Sequence, residues 1–86
     1  MRKKVQVERI QTGMRIEKRI LKTLKALAEY LDMTLGDLIE GIVLHAFDGK
    51  APFSKEVIGK IQEIKKIYDL DLNASHSHKL IEKMKT

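Results

Sequence analysis

The stretch Arg9-Ile10-Gln11-Thr12-Gly13-Met14-Arg15-Ile16 decides how the rest of the chain is interpreted, because its side chains alternate in character. Ile10, Thr12, Met14 and Ile16 fall on one face, and Arg9, Gln11, Gly13 and Arg15 fall on the other. This period of two predicts a β-strand with one apolar face and one polar face. The chain offers no second strand for it to pair with. The segment is therefore expected either to pair with its counterpart in a second copy of the chain or to remain frayed.

Two amphipathic helices are predicted after this strand. The first runs from about Lys18 to Leu31, with apolar residues at helical spacing: Ile20, Leu21, Leu24, Leu27, Ala28 and Leu31. The second begins at Thr34-Leu35-Gly36-Asp37, which resembles a capping box with Asp in place of Glu or Gln, and ends near Phe47. Its apolar stripe consists of Leu35, Leu38, Ile39, Ile42, Val43 and Ala46.

A third helix is predicted in the C-terminal part. Ser54 is a suitable N-cap, and the stripe that follows reaches Tyr68: Val57, Ile58, Ile61, Ile64 and Tyr68. The stretch Asp69-Leu70-Asp71-Leu72-Asn73 interrupts the pattern, and a short, weaker helix is expected from about Ser75 to Met84. We expect the third helix to pack on the N-terminal unit or on a partner subunit and so to enlarge a small core.

The composition limits the protein to one small domain with an aliphatic core. The chain has 86 residues, no Cys and no Trp, and only 5% of its residues are aromatic. The lack of cysteine excludes disulfides and thiolate metal sites. No stretch approaches the length of a membrane span, and no apolar run follows the basic first residues as it would in a signal peptide, so we expect a cytoplasmic protein.

The charge is concentrated in the first part of the chain. Residues 1–25 hold nine basic and two acidic residues, whereas residues 26–86 hold eight basic and ten acidic ones, and the net charge is +5. Lysine and arginine bound to phosphates release condensed counterions, so this asymmetry favours a polyanionic partner over a merely soluble surface.

Residues 9–47 are predicted to form a strand, a helix, a short turn and a second helix. The order and spacing of these elements resemble the ribbon-helix-helix superfamily of repressors, the group of Arc and MetJ. The similarity lies in Thr12-Gly13-Met14-Arg15-Ile16, in residues 20–28 and in residues 34–39. It implies a mainly α fold in which one N-terminal β-strand pairs across a homodimer, followed by two core helices and one or two C-terminal helices. The parts are then a basic arm (1–8), the dimerising, DNA-binding unit (9–47) and a helical extension (48–86).

The resemblance also implies which residues bind double-stranded DNA. The outer ribbon residues Arg9, Gln11, Gly13 and Arg15 would face base edges in the major groove, where arginine can pair with guanine and glutamine with adenine. Gly13 has no side chain to read a base and would instead let the ribbon approach closely or form a bulge. The expected phosphate contacts are Thr34 and Leu35 at a helix N-terminus, with Lys18 and Lys22. The expected dimer core consists of Met14, Ile16, Ile20, Leu24, Leu27, Leu38, Ile42 and Val43. Asp32 stands in the turn where the family often carries glycine.

The interpretation is a sequence-dependent DNA-binding homodimer, a transcriptional regulator of the repressor type, with assembly beyond the dimer left open. The alternative is an antitoxin or adaptor whose residues 54–84 bind a partner protein. RNA binding is disfavoured, because the basic segment has no aromatic residues on which bases could stack. We expect no cofactor and no catalysis, since no nucleophile is paired with a base. His76-Ser77-His78, with His45, raises the alternative of a metal site, which we do not expect.

Overall fold

The computed structural model describes residues 4–83 and consists of three α-helices of equal length. They are α1 (Lys18–Tyr30), α2 (Leu35–Phe47) and α3 (Lys55–Ile67), each of 13 residues. A 3-10 turn, Ala74–His76, follows α3. The helices lie where the apolar periodicity predicts them, and Thr34 and Ser54 cap α2 and α3 as predicted.

The predicted β-strand, and with it the ribbon-helix-helix fold class, is wrong. Residues 4–17 precede α1 without helical or strand structure, and residues 4–83 contain no sheet. The alternation of side chains is present, but an isolated segment has no neighbouring strand to take up its backbone hydrogen bonds. Of the predicted arm (1–8), Arg2 and Lys3 lie outside the described residues.

The predicted C-terminal helix is also wrong for the residues that can be assessed. Only Ala74–His76 form a helical turn, and residues 77–83 continue without helix, while Met84 lies outside the described residues. The turn is closed locally, because Asn73 accepts hydrogen bonds from Ser75 and the ring of His76 accepts one from the Asn73 N–H at 3.0 Å. These local bonds hold one helical turn, which does not continue into a helix.

Helix α1 is the centre of the packing. It packs closely against both α2 and α3, whereas no Cα atom of α2 lies within 8 Å of one in α3. The buried core is Leu27 and Ala28 from α1, Leu38 from α2 and Ile64 from α3. Partly buried residues complete it: Leu24, Ala26, Leu31, Ile42, Phe53, Val57, Ile61 and Tyr68. Helix α3 and Phe53, which precedes it, therefore pack into the same core as α1 and α2.

All three α-helices end in the same way, in a Schellman motif whose closing residue has positive φ. Gly49 fills this position after α2 with φ 68°, whereas Asp32 and Asp69 fill it after α1 and α3 with φ 57° and 54°. After each helix a backbone N–H donates a hydrogen bond to the carbonyl five residues earlier, at 2.8–3.0 Å. The donor is Met33 after α1, Lys50 after α2 and Leu70 after α3. Asp32 thus adopts the conformation that glycine adopts most easily, and the turn is preserved.

A single copy of the chain leaves a large surface uncovered. It exposes 8256 Å², whereas a compact monomer of 9.9 kDa is expected to expose about 5200 Å². Its radius of gyration is 14.6 Å, against about 12 Å for a compact domain of this length. Among the described residues, no helix combines the length and apolarity needed to cross a membrane.

Candidate nucleic-acid interface

Arg9 attaches the N-terminal segment to α2. Its Nε donates to Glu40 Oε2 at 2.9 Å, and its Nη2 donates to Glu40 Oε1 at 2.7 Å and to Asp37 Oδ1 at 3.1 Å. The fork geometry suits a carboxylate, and the hydrogen bond from Arg9 lowers the pKa of Glu40. Arg9, predicted to contact bases, is therefore paired with carboxylates of its own chain.

An open groove of about 700 Å³ separates this segment from the start of α2. Three of the predicted base-contacting residues, Arg9, Gln11 and Gly13, line it together with Leu35, a predicted phosphate contact. Ile10 and Met14 also line it, yet they are 84% and 66% exposed. The structure thus brings together one part of the predicted site, while Arg15, Lys18 and Lys22 lie outside the groove.

Arg15 is held by the C-terminal tail. Its Nε donates to Glu82 Oε1 at 3.1 Å, and its Nη2 pairs with the second carboxylate oxygen of Glu82. The Arg15 side chain is nevertheless 81% exposed, so solvent reaches most of it. No local sequence pattern indicates this pair, because the partners are 67 residues apart.

Glu17 starts α1 and binds Arg19 at the same time. Its Oε1 accepts the backbone N–H groups of Arg19 and Ile20, each at 2.9 Å, and its Oε2 accepts from Arg19 Nε at 3.0 Å. Partial burial opposes the charge of Glu17, but these hydrogen bonds outweigh it and lower its pKa. This cap was not predicted from the sequence, because glutamate is not among the preferred N-cap residues.

Lysines form the accessible basic face of α1. Lys18, Lys22 and Lys25 are all exposed and recur at helical spacing, so they project from one side. The ammonium of Lys22 lies 6.0 Å from the centre of the Tyr68 ring, at the outer limit of a cation–π contact. Two of these lysines are predicted phosphate contacts, and the structure leaves their charges at the surface.

The N-terminus of α2 is arranged as a helix cap. Thr34 Oγ1 accepts the Asp37 N–H at 3.1 Å, which leaves the N–H groups of Leu35 and Gly36 without an intrahelical partner. Asp37 points its carboxylate at Arg9 instead of closing a capping box with Thr34. A phosphate at Leu35 would therefore meet free N–H groups with a partly neutralised carboxylate beside them.

The predicted dimer-core residues range from buried to exposed in the single chain. Leu27 and Leu38 are buried in the core of the single chain, and Leu24 and Ile42 pack against it, while Ile16 and Ile20 are partly exposed. Met14 and Val43 are exposed. Leu44 and Phe47, which the prediction did not include, are 64% and 80% exposed on α2.

The histidines have local structural roles. His45 Nδ1 donates to the Gly41 carbonyl at 2.7 Å, and His76 closes the turn at Asn73. Over residues 4–83 no group of three or more potential metal ligands is found.

No protein-family model, no curated protein and no solved structure matches this chain.

Proposed function

We propose that the protein is a homodimer that binds duplex DNA through residues 9–19 and the lysine face of α1, and that it regulates transcription. The observation that carries this proposal is the charge of one end of the molecule. Seven basic residues are described between residues 4 and 25, against two acidic ones, Glu8 and Glu17. Three of them, Arg9, Arg15 and Arg19, are paired with carboxylates. The other four have no carboxylate partner among residues 4–83 and supply the open positive charge: Lys4, Lys18, Lys22 and Lys25. A surface of this kind attracts phosphates at long range and binds them by counterion release.

The conformation of residues 9–16 supports contact with DNA without requiring a strand. The segment has neither helical nor strand structure, and Gln11 and Arg15 are exposed. Arginine and glutamine can each make two hydrogen bonds to a purine edge in the major groove. The lysines of α1 would add phosphate contacts that carry no sequence information.

The dimer part of the proposal rests on uncovered surface and on the apolar character of α2. The chain exposes roughly 3000 Å² more total surface, polar and apolar together, than a compact monomer of its mass. A stable interface buries about 800 Å² or more per partner. Helix α2 supplies suitable surface, because Val43, Leu44 and Phe47 are exposed at 37%, 64% and 80%. A helix that is apolar on most sides is normally covered, and a second copy would cover it symmetrically.

Replacement of Arg15 tests the DNA contact. Arg15→Ala should weaken binding to a selected duplex by about tenfold or more and relax the preference at one base position, as expected for a lost base contact. Lys55→Ala, on the exposed start of α3, removes one positive charge outside the proposed surface and is the matched control. Fluorescence anisotropy with labelled duplexes measures both variants. Equal affinity and equal sequence preference for wild type and Arg15→Ala would contradict the assignment of Arg15.

A further inference from the structure

The chain after α3 returns to the basic end of the molecule. The Asp69 carbonyl and the Asp71 carboxylate accept hydrogen bonds from Arg19 Nη1 at 3.0 and 2.9 Å. The Leu72 carbonyl accepts one from Lys65 Nζ at 3.0 Å, and Glu82 binds the guanidinium of Arg15. Residues 69–83, which we call the strap, are therefore attached at both ends to the proposed DNA-binding surface.

The strap occupies the atoms that DNA would use. Glu82 takes Nε and Nη2 of Arg15, and Asp71 takes Nη1 of Arg19. A carboxylate and a phosphate compete for the same guanidinium donors, because both present two oxygens to the planar fork. Arg15 and Arg19 cannot keep these carboxylate bonds and bind a base edge or a phosphate with the same donors.

We propose that the strap is an autoinhibitory segment, in which Asp71 and Glu82 compete with DNA for Arg19 and Arg15. The inference rests on the proposed DNA binding. It assigns to the C-terminal residues a role within this chain: they lower the affinity for DNA and must move aside when DNA binds.

The exposure of these ion pairs determines how strong the competition is. The side chains of Arg15, Glu82 and Asp71 are 81%, 64% and 82% exposed. Exposed pairs are weak because water and salt screen them, so each pair should reduce DNA affinity by about fivefold at most. The strap therefore tunes affinity and can be displaced, as a regulator of this type requires.

Carboxamide substitutions test the competition in the full-length chain. Glu82→Gln and Asp71→Asn remove charge while they preserve size, and the double variant should bind duplex DNA severalfold more tightly than wild type. The matched control is the double variant Glu56→Gln, Glu63→Gln, because it also removes two negative charges, both of them on α3. A strap variant that gains no more affinity than this control would overturn the proposal.

The position of the strap can be measured without DNA. The chain has no cysteine, so Lys79→Cys gives a single site for a nitroxide label. Labelled 15N protein is mixed with excess unlabelled wild type, which restricts the effect to one chain. Amide signals of residues 14–19 should broaden in the free protein and sharpen in the double variant and on addition of DNA.

The two measurements separate the two proposals. Unbroadened signals in the free protein would mean that the strap does not lie near residues 14–19. They would overturn the proposed autoinhibition, whatever the DNA affinity. Broadened signals in a protein without affinity for duplex DNA even at low salt would overturn the proposed function, and the competition with it. If the broadening persists unchanged in the saturated DNA complex, the strap does not move aside when DNA binds. That result would overturn the proposed autoinhibition while leaving DNA binding intact.

Discussion

The helical core and the two ends of this chain are held by different forces. The core around α1 consists of buried apolar side chains, whose burial stabilises the fold: Leu27, Ala28, Leu38 and Ile64. Residues 9–17 and 69–83 are held largely by arginines on carboxylates at the surface. Salt screens the ion pairs at the surface but does not weaken the packing of buried apolar side chains. The ends can therefore exchange their partners while the core stays intact.

The largest difference between the two regions should appear when apolar side chains are truncated. Leu27→Ala should lower the free energy of unfolding by about 2–5 kcal/mol, because Leu27 is 3% exposed and a cavity replaces it. Ile81→Ala, at a position 94% exposed in the strap, should change it by less than about 0.5 kcal/mol. Urea unfolding followed by circular dichroism measures both. Similar losses for the two variants would contradict the division into core and ends.

The helix termini allow a sharper test within the core. Gly49→Ala should destabilise the protein by about 1 kcal/mol, because alanine is strained at φ 68°. Asp32→Gly, at the equivalent position after α1, should stabilise it by up to about 1 kcal/mol. Thermal unfolding of the two variants should show shifts of opposite sign. Shifts of the same sign would mean that the two turns do not share one conformation.

The junction between the N-terminal segment and α1 should respond to pH. The pKa of Glu17 is lowered in the folded chain, so its charge stabilises the fold above roughly pH 5 and this contribution is lost as the pH falls below about 4. Glu17→Gln should remove that part of the acid sensitivity and destabilise the protein by about 1 kcal/mol at neutral pH, as loss of a cap does. Urea unfolding across this pH range tests it, with Glu29→Gln on the exposed side of α1 as control. Unchanged acid sensitivity in Glu17→Gln would contradict the cap.

The smallest expected change in stability comes from a polar group inside the core. Thr23 is 7% exposed, and its hydroxyl oxygen is buried with no hydrogen-bond partner in the described chain. Thr23→Val keeps the shape and removes the unpaired hydroxyl, so it should be neutral or stabilise the fold by up to about 1 kcal/mol. Thermal unfolding measures the shift. A loss of stability would show that the hydroxyl is satisfied.

The sequence predicted the core helices well because their signals are local. The stripe from Ile20 to Leu31 and the caps at Thr34 and Ser54 involve residues one or two turns apart. The ends could not be predicted in this way. Alternation in residues 9–16 indicates a strand only if another strand pairs with it, and the structure has none in residues 4–83. The partners of Arg9 and Arg15 are 31 and 67 residues away, beyond the reach of any local pattern.

Binding of duplex DNA by the basic end of a homodimer is tested by a salt series combined with sedimentation. We expect a dimer at micromolar concentration, and the logarithm of its affinity for random-sequence duplex should fall steeply and linearly with the logarithm of the salt concentration. With several phosphates contacted, the slope should be about −0.9 per contact. A monomer, or a dimer without affinity for duplex even at low salt, would contradict DNA binding by a homodimer.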